Sequence, residues 1–157
     1  MHISENSKIW IYQSDRPFTI DEEKAIKQVL NNFTAEWQAH GHDLAALAEI
    51  YHHQFIVLSV DEQMAGATGC SIDKSVHLMK ELETRFKINL FDRLRIAYRL
   101  GEDIINCSRE EFEERIGQGI VNAQTLVFNN LISRRKELET SWNVPLVDSW
   151  HAKVFSF

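Results

Sequence analysis

"LAALAEIYHHQFIVLSVD", residues 44–61, holds two strand-like runs hinged at His52 and His53. The second run, "FIVLSV", is apolar on both of its sides. A strand without a polar face is expected in the middle of a sheet, covered above and below. The economical arrangement of the two runs is an antiparallel pair joined by a short turn. The rest of the chain is then read as what covers and extends this hairpin.

Working outward, "KIWIYQSD" (8–15) is dense in β-branched and aromatic residues and reads as a strand. Thr19-x-x-Glu22, following Pro17, is a capping box that starts a helix. Ile26, Val29, Leu30, Phe33 and Trp37 share one face of it up to Gly41. Beyond the hairpin, Ile72, Val76, Met79 and Phe86 keep helical spacing. "RLRIAYRL" (93–100) alternates as a strand, "GED" turns, and "IINC" supplies a partner strand. A second capping box, Ser108-x-x-Glu111, opens apolar steps through residues 112–138. Those steps predict one long C-terminal helix, or two broken at Gly117 and Gly119, with acids at its start and Arg134, Arg135 and Lys136 at its end. The order β-α-β-β-α-β predicts an α+β, ferredoxin-like sandwich with an extra short strand and a long C-terminal helix. At 157 residues a single domain, 1–157, is expected.

Composition bounds the function. Hydrophobic residues make up 44% and charged residues 25%, as in ordinary globular proteins. The net charge of −6 argues against nucleic acid and anionic membranes as partners, since both require a positive surface. Two cysteines, Cys70 and Cys107, are too few for a disulfide framework and suit a reducing compartment. "MHISENSKIW" has no basic segment followed by an apolar run, and no apolar run is long enough to cross a bilayer. A cytoplasmic location is expected.

The stretch "VDEQMAGATGCSIDKS" (60–75) imitates two parts of an ATPase. "FIVLSVDE" resembles a Walker B strand ending in acids, and "TGCSIDKS" a phosphate loop ending in Lys74-Ser75. The second imitation fails on charge. Asp73 stands where glycine would let backbone amides close on phosphate, and a carboxylate there repels the anion. The order of the two fragments is also reversed, and no "LSGGQ"-like segment occurs, so no P-loop is expected.

"WIYQSDR" (10–16), "VDE" followed by "GCSIDKSV" (60–76), "VFNN" (127–130) and "SWH" (149–151) resemble a family of short bacterial proteins often labelled "ABC transporter ATPase". The resemblance spans nearly the whole chain and implies no known mechanism.

Several residues remain candidates for chemistry. Cys70 precedes a helix whose dipole favours a thiolate, with His151 or His77 as a base and Asp73 opposing activation; the alternative is a small residue packed in a turn. Asp61, Glu62 and Asp73 offer hard oxygens to magnesium or calcium; alternatively Asp73 or Ser71 caps the following helix. Arg93, Arg95 and Arg99 share a strand face that Trp10 and Tyr12 could neighbour. With Arg16, Ser71 and Ser75 they form a candidate ligand-binding set; otherwise the arginines are a solvated face. His40, His42, His52 and His53 lack zinc spacing and read as turn residues. Trp142, Trp150 and "VFSF" either pin the tail or form a homodimer contact. The leading expectation is a small-molecule- or protein-binding module acting as a homodimer, its cofactor open between none and magnesium or calcium. The alternative is an enzyme using the 61–75 loop.

Overall fold

The computed structural model describes residues 3–63 and 65–157, and the chain forms two compact units. The first comprises Met1–Phe91 with Ser133–Lys136, and the second Asp92–Ile132 with Glu137–Phe157.

In the first unit, β1 (Lys8–Gln13) leads to α1 (Ile20–Glu36) through the Thr19/Glu22 capping box. A small ribbon, β2 (Gln38–Ala39) with β3 (His42–Asp43), turns at His40 and Gly41, both with positive φ. It leads to β4 (Ala45–Tyr51) and β5 (Phe55–Asp61). The hairpin between them turns at His52 (φ 53°) and His53 (φ 60°), and the Gln54 N–H donates to the Tyr51 carbonyl. Two left-handed residues in succession match the twist of the flanking strands. α2 (Gly69–Phe86) follows and ends at Lys87 in the left-handed region.

The sheet is antiparallel with the order β1-β5-β4, so β5 is central, and Phe55–Val60 is buried throughout. Ile56, Leu58 and Val60 face a core built with Ile26 and Leu30 of α1 and Met79 and Leu82 of α2. Burying four such side chains contributes roughly 1.5–3 kcal/mol each before chain entropy is counted.

The fourth sheet position differs from the ferredoxin-like expectation. The free edge of β1 carries the segment Ser133–Lys136: Ile9 N–H donates to the Ser133 carbonyl at 3.0 Å, and Arg135 N–H to the Ser7 carbonyl at 2.9 Å. Its anchor is Arg135, whose guanidinium meets the Glu49 carboxylate and the Ser59 hydroxyl. The strand expected in that place lies in the other unit.

That second unit has the sheet order β7-β6-β8-β9: β6 (Ile96–Leu100), β7 (Asp103–Cys107), β8 (Leu126–Phe128) and β9 (Asn143–Pro145). α3 (Arg109–Gly117) and the single turn α4 (Glu137–Thr140) complete it with two 3-10 turns in the tail. Its core gathers Ile96, Tyr98, Phe112, Val127, Leu146 and Phe155. The long C-terminal helix is not formed. α3 stops at Gly117, Gly119 takes φ +76°, and the Asn122 and Thr125 side chains close a turn before β8. Arg134, Arg135 and Lys136 therefore lie in an extended segment rather than at a helix end. The molecule is mixed α+β with antiparallel sheets. No helix among the described residues is long and apolar enough to cross a membrane.

The 61–75 loop as candidate functional site

β5 delivers Asp61 and Glu62 to the start of the loop, and α2 begins at its end. Asp61 Oδ1 accepts from the Gln63 N–H at 3.2 Å, an acid closing its own turn. Glu62 Oε2 accepts from the Ala67 N–H at 3.1 Å. Gly66 makes room for that carboxylate: a Cβ there would stand 2.9 Å from Oε2. The two acids thus serve backbone donors. Among the described residues, no group of three His, Cys, Asp or Glu side chains is placed to hold a metal ion.

The helix start is closed in the same way. Thr68 is the N-cap, and its hydroxyl accepts from the Ser71 N–H at 3.2 Å. The Ser71 hydroxyl returns the bond, accepting from the Thr68 N–H at 2.7 Å and donating to the Thr68 carbonyl at 2.9 Å. The Ser71 carbonyl accepts from the buried Trp37 indole N–H at 2.9 Å, which ties the end of α1 to the start of α2. The cap is therefore Thr68 with Ser71 as its reciprocal partner, and Asp73 lies exposed in the next turn. Ser75 is buried, donates to the Ile72 carbonyl at 2.6 Å and lies against the Tyr12 hydroxyl.

Cys70 is exposed in the first turn of α2. His77 is exposed on the same helix and lines an open groove with Lys80, Glu81, Thr84 and Arg85. His151 belongs to the second unit and is 1% exposed. Its Nδ1 is 2.9 Å from the Ser149 hydroxyl, and its ring stacks on Trp150. Ser149 donates its own proton to the Leu146 carbonyl, so the bond selects the tautomer with hydrogen on Nδ1. Burial pushes the His151 imidazole down to about 4, which keeps it neutral.

Arg16 makes a bidentate pair with Glu22, both bonds 2.8 Å, and donates to the Phe86 carbonyl at the end of α2. The guanidinium holds the Glu22 carboxyl down at about 2, helped by the Thr19 N–H. Arg16 thus clamps two helix ends. Arg93 is exposed, whereas Arg95 Nε donates to Asn106 and Arg99 Nε to Asn143, with the Arg99 guanidinium over Phe128. Arg93 and Arg95 precede β6, so the three arginines do not share a strand face; β6, which carries Arg99, pairs with β7 and β8, while Trp10 and Tyr12 lie on β1 of the other sheet.

Two polar clusters escape a reading of sequence motifs. Arg135, Glu49, Ser59 and Tyr51 meet on the first sheet. There burial raises the Tyr51 hydroxyl, with the Glu49 charge adding to it. In the second unit the Arg115 guanidinium approaches Tyr98 and Cys107, and burial pushes the Cys107 thiol up against the pull of that charge. Each joins residues remote in sequence, so only the strand pairing brings them together.

Comparison with protein-family models, curated proteins and solved structures gave no match.

Proposed function

We propose that the protein is a binding module for a small molecule or a protein, acting as a homodimer in a reducing compartment such as the cytoplasm. The observation that supports this reading is the commitment of Glu62, Thr68 and Ser71 to bonds within the chain. Ser71 uses its N–H, its hydroxyl and its carbonyl within the scaffold, and Glu62 is turned onto Ala67. A phosphate cradle needs neutral backbone amides directed at the anion. The free thiols of Cys70 and Cys107 support the reducing compartment. Kinship with the proteins labelled "ABC transporter ATPase" is retained as part of this proposal without their label, since "GCSIDKS" is accounted for as a helix start.

The test is an assay of the purified protein against a metabolite panel that includes nucleoside triphosphates with magnesium. No turnover is expected. Reproducible turnover that disappears in Cys70→Ala or Asp61→Asn overturns the reading.

A second reading has one observation in its favour: Cys70 is exposed in the first turn of a long helix, where a thiolate gains from the N–H dipoles. Selective alkylation of Cys70 over a free thiol standard at neutral pH would support an enzyme of the thiol type, and equal rates would remove it. A metal-assisted version predicts a thermal shift with magnesium, calcium or manganese that Asp61→Asn abolishes.

A further inference from the structure

The sheet of the first unit has two outer strands, and they are treated differently. The edge of β1 is covered by Ser133–Lys136. β4 pairs with β5 on one side, and no strand among the described residues pairs with its other side. Sheet edges in soluble proteins are normally blunted by charged side chains, lysine above all, by proline, a bulge or brevity, or by a covering helix or loop. β4, "AALAEIY", runs seven residues with neither lysine nor proline and in unbroken register with β5. In the second unit β9 carries Pro145 and β7 begins at Asp103, so β4, whose one charge Glu49 is paired with Arg135, is the longest open edge among the described residues.

We propose that the outer edge of β4 pairs with β4 of a second copy of this chain, joining two three-stranded sheets across a two-fold axis at Ala48. This rests on the homodimer part of the proposed function and names its surface. The Tyr51 carbonyl is directed at Gln54 on the hairpin side. Alternation along an antiparallel strand then turns the N–H and C=O of Ile50, Ala48 and Ala46 outward. A two-fold axis between outward-directed groups requires such a residue at the strand's centre, and Ala48 is the middle of Ala45–Tyr51. The register centred on it is the one that overlaps the whole strand, with up to about six backbone hydrogen bonds.

Side chains fit the same register. Ile50 meets the partner's Ala46 and Tyr51 the partner's Ala45, large against small on both faces. Glu49, the strand's one charged residue, meets the partner's Leu47 instead of another acid, and its charge is already matched by Arg135. Like charges directly opposite would destabilise such a pair. The register therefore opposes no charge to its own kind.

The full chain is examined by sedimentation across a dilution series and by amide hydrogen exchange, beside Ala48→Pro. Proline is tolerated on an edge strand where its missing N–H faces outward, so the variant keeps β4–β5 pairing. The expected result is a dimer of the 18.3 kDa chain in which the amides of Ala46, Ala48 and Ile50 exchange slowly and lose protection on dilution. Ala48→Pro then weakens association at least about tenfold, the equivalent of one net hydrogen bond or more. A wild-type dimer whose Ala46, Ala48 and Ile50 amides exchange rapidly overturns the β4 edge and leaves self-association standing. A wild-type monomer at the highest soluble concentration overturns both.

Discussion

Ser71 and Cys70 are neighbours with opposite standing. Ser71 is 1% exposed and bonded through every polar group it has, whereas Cys70 is exposed. Removing the Ser71 hydroxyl breaks the reciprocal cap and leaves the Thr68 N–H without its acceptor. Chemical denaturation of Ser71→Ala should show a loss of about 1–2 kcal/mol, and Cys70→Ala a change within about 0.5 kcal/mol. A larger loss at Cys70 would mean that the thiol has a structural partner. His151 offers a test by pH. Its folded-state value of about 4 lies below the ordinary 6.5, so the unfolded chain takes up a proton first as the solution is acidified. Stability from this residue is complete above 6.5 and is lost as pH falls toward 4, amounting to roughly 2–3 kcal/mol between pH 7.5 and 4.5. Glu22, held at about 2, contributes in full above its ordinary 4.5 and loses that contribution only as pH falls from there toward 2, below that window. In His151→Gln the slope between pH 7.5 and 4.5 should flatten; an unchanged slope would place the titration elsewhere. The capping boxes at Thr19 and Ser108 are legible in the sequence because each ends in glutamate at the third helical position. The box at Thr68 is harder to see because serine takes that place, and so Asp73 or Ser71 is expected as the cap.

Among elements, the segment Ser133–Lys136 departs furthest from what its sequence suggests. Its basic run after apolar steps imitates a helix end, and it forms a strand-like edge on β1 instead. Arg135 is only 19% exposed and Glu49 29%, so the pair is partly desolvated, and breaking it leaves a carboxylate short of its partner. Arg135→Ala should cost about 2–3 kcal/mol in denaturation, less than the 3–5 kcal/mol of a fully buried pair. Exchange at the Ile9 amide, which donates to Ser133, should quicken at the same time. Normal protection at Ile9 in that variant would show that backbone pairing alone holds the segment. The hairpin 44–61, both long helices and their apolar faces are legible because their signals are local: periodicity, caps and a two-residue turn. Of the strand expected at 93–100 only Ile96–Leu100 forms, after a turn at Arg93 and Leu94, and its partners are not legible. Alternation reports that a strand has two faces and says nothing about which sheet receives it. The long C-terminal helix fails because steps of three and four also fit a chain that turns at Gly119 and re-enters as β8.

Across the whole molecule, the polar residues that look most chemical in the sequence are placed at joints. Arg16 with Glu22 locks the start of α1 to the end of α2, and Trp37 with Ser71 locks the end of α1 to the start of α2. His40, His52 and His53 take positive φ in turns, as expected of turn residues, whereas His42, expected there too, lies in β3. Cys70 and His151, paired in the sequence reading as nucleophile and base, sit in different units, and His151 is committed to Ser149. The central claim of the proposed function is that the turn before α2 serves as a structural joint, with the amides of Ala67, Thr68 and Ser71 bonded within the chain, and does not hold a nucleotide. Titrating the protein with magnesium ATP while following the amide resonances of residues 67–75 tests it most directly. Unchanged positions for these amides are predicted; saturable shifts confined to residues 69–75 would contradict the claim.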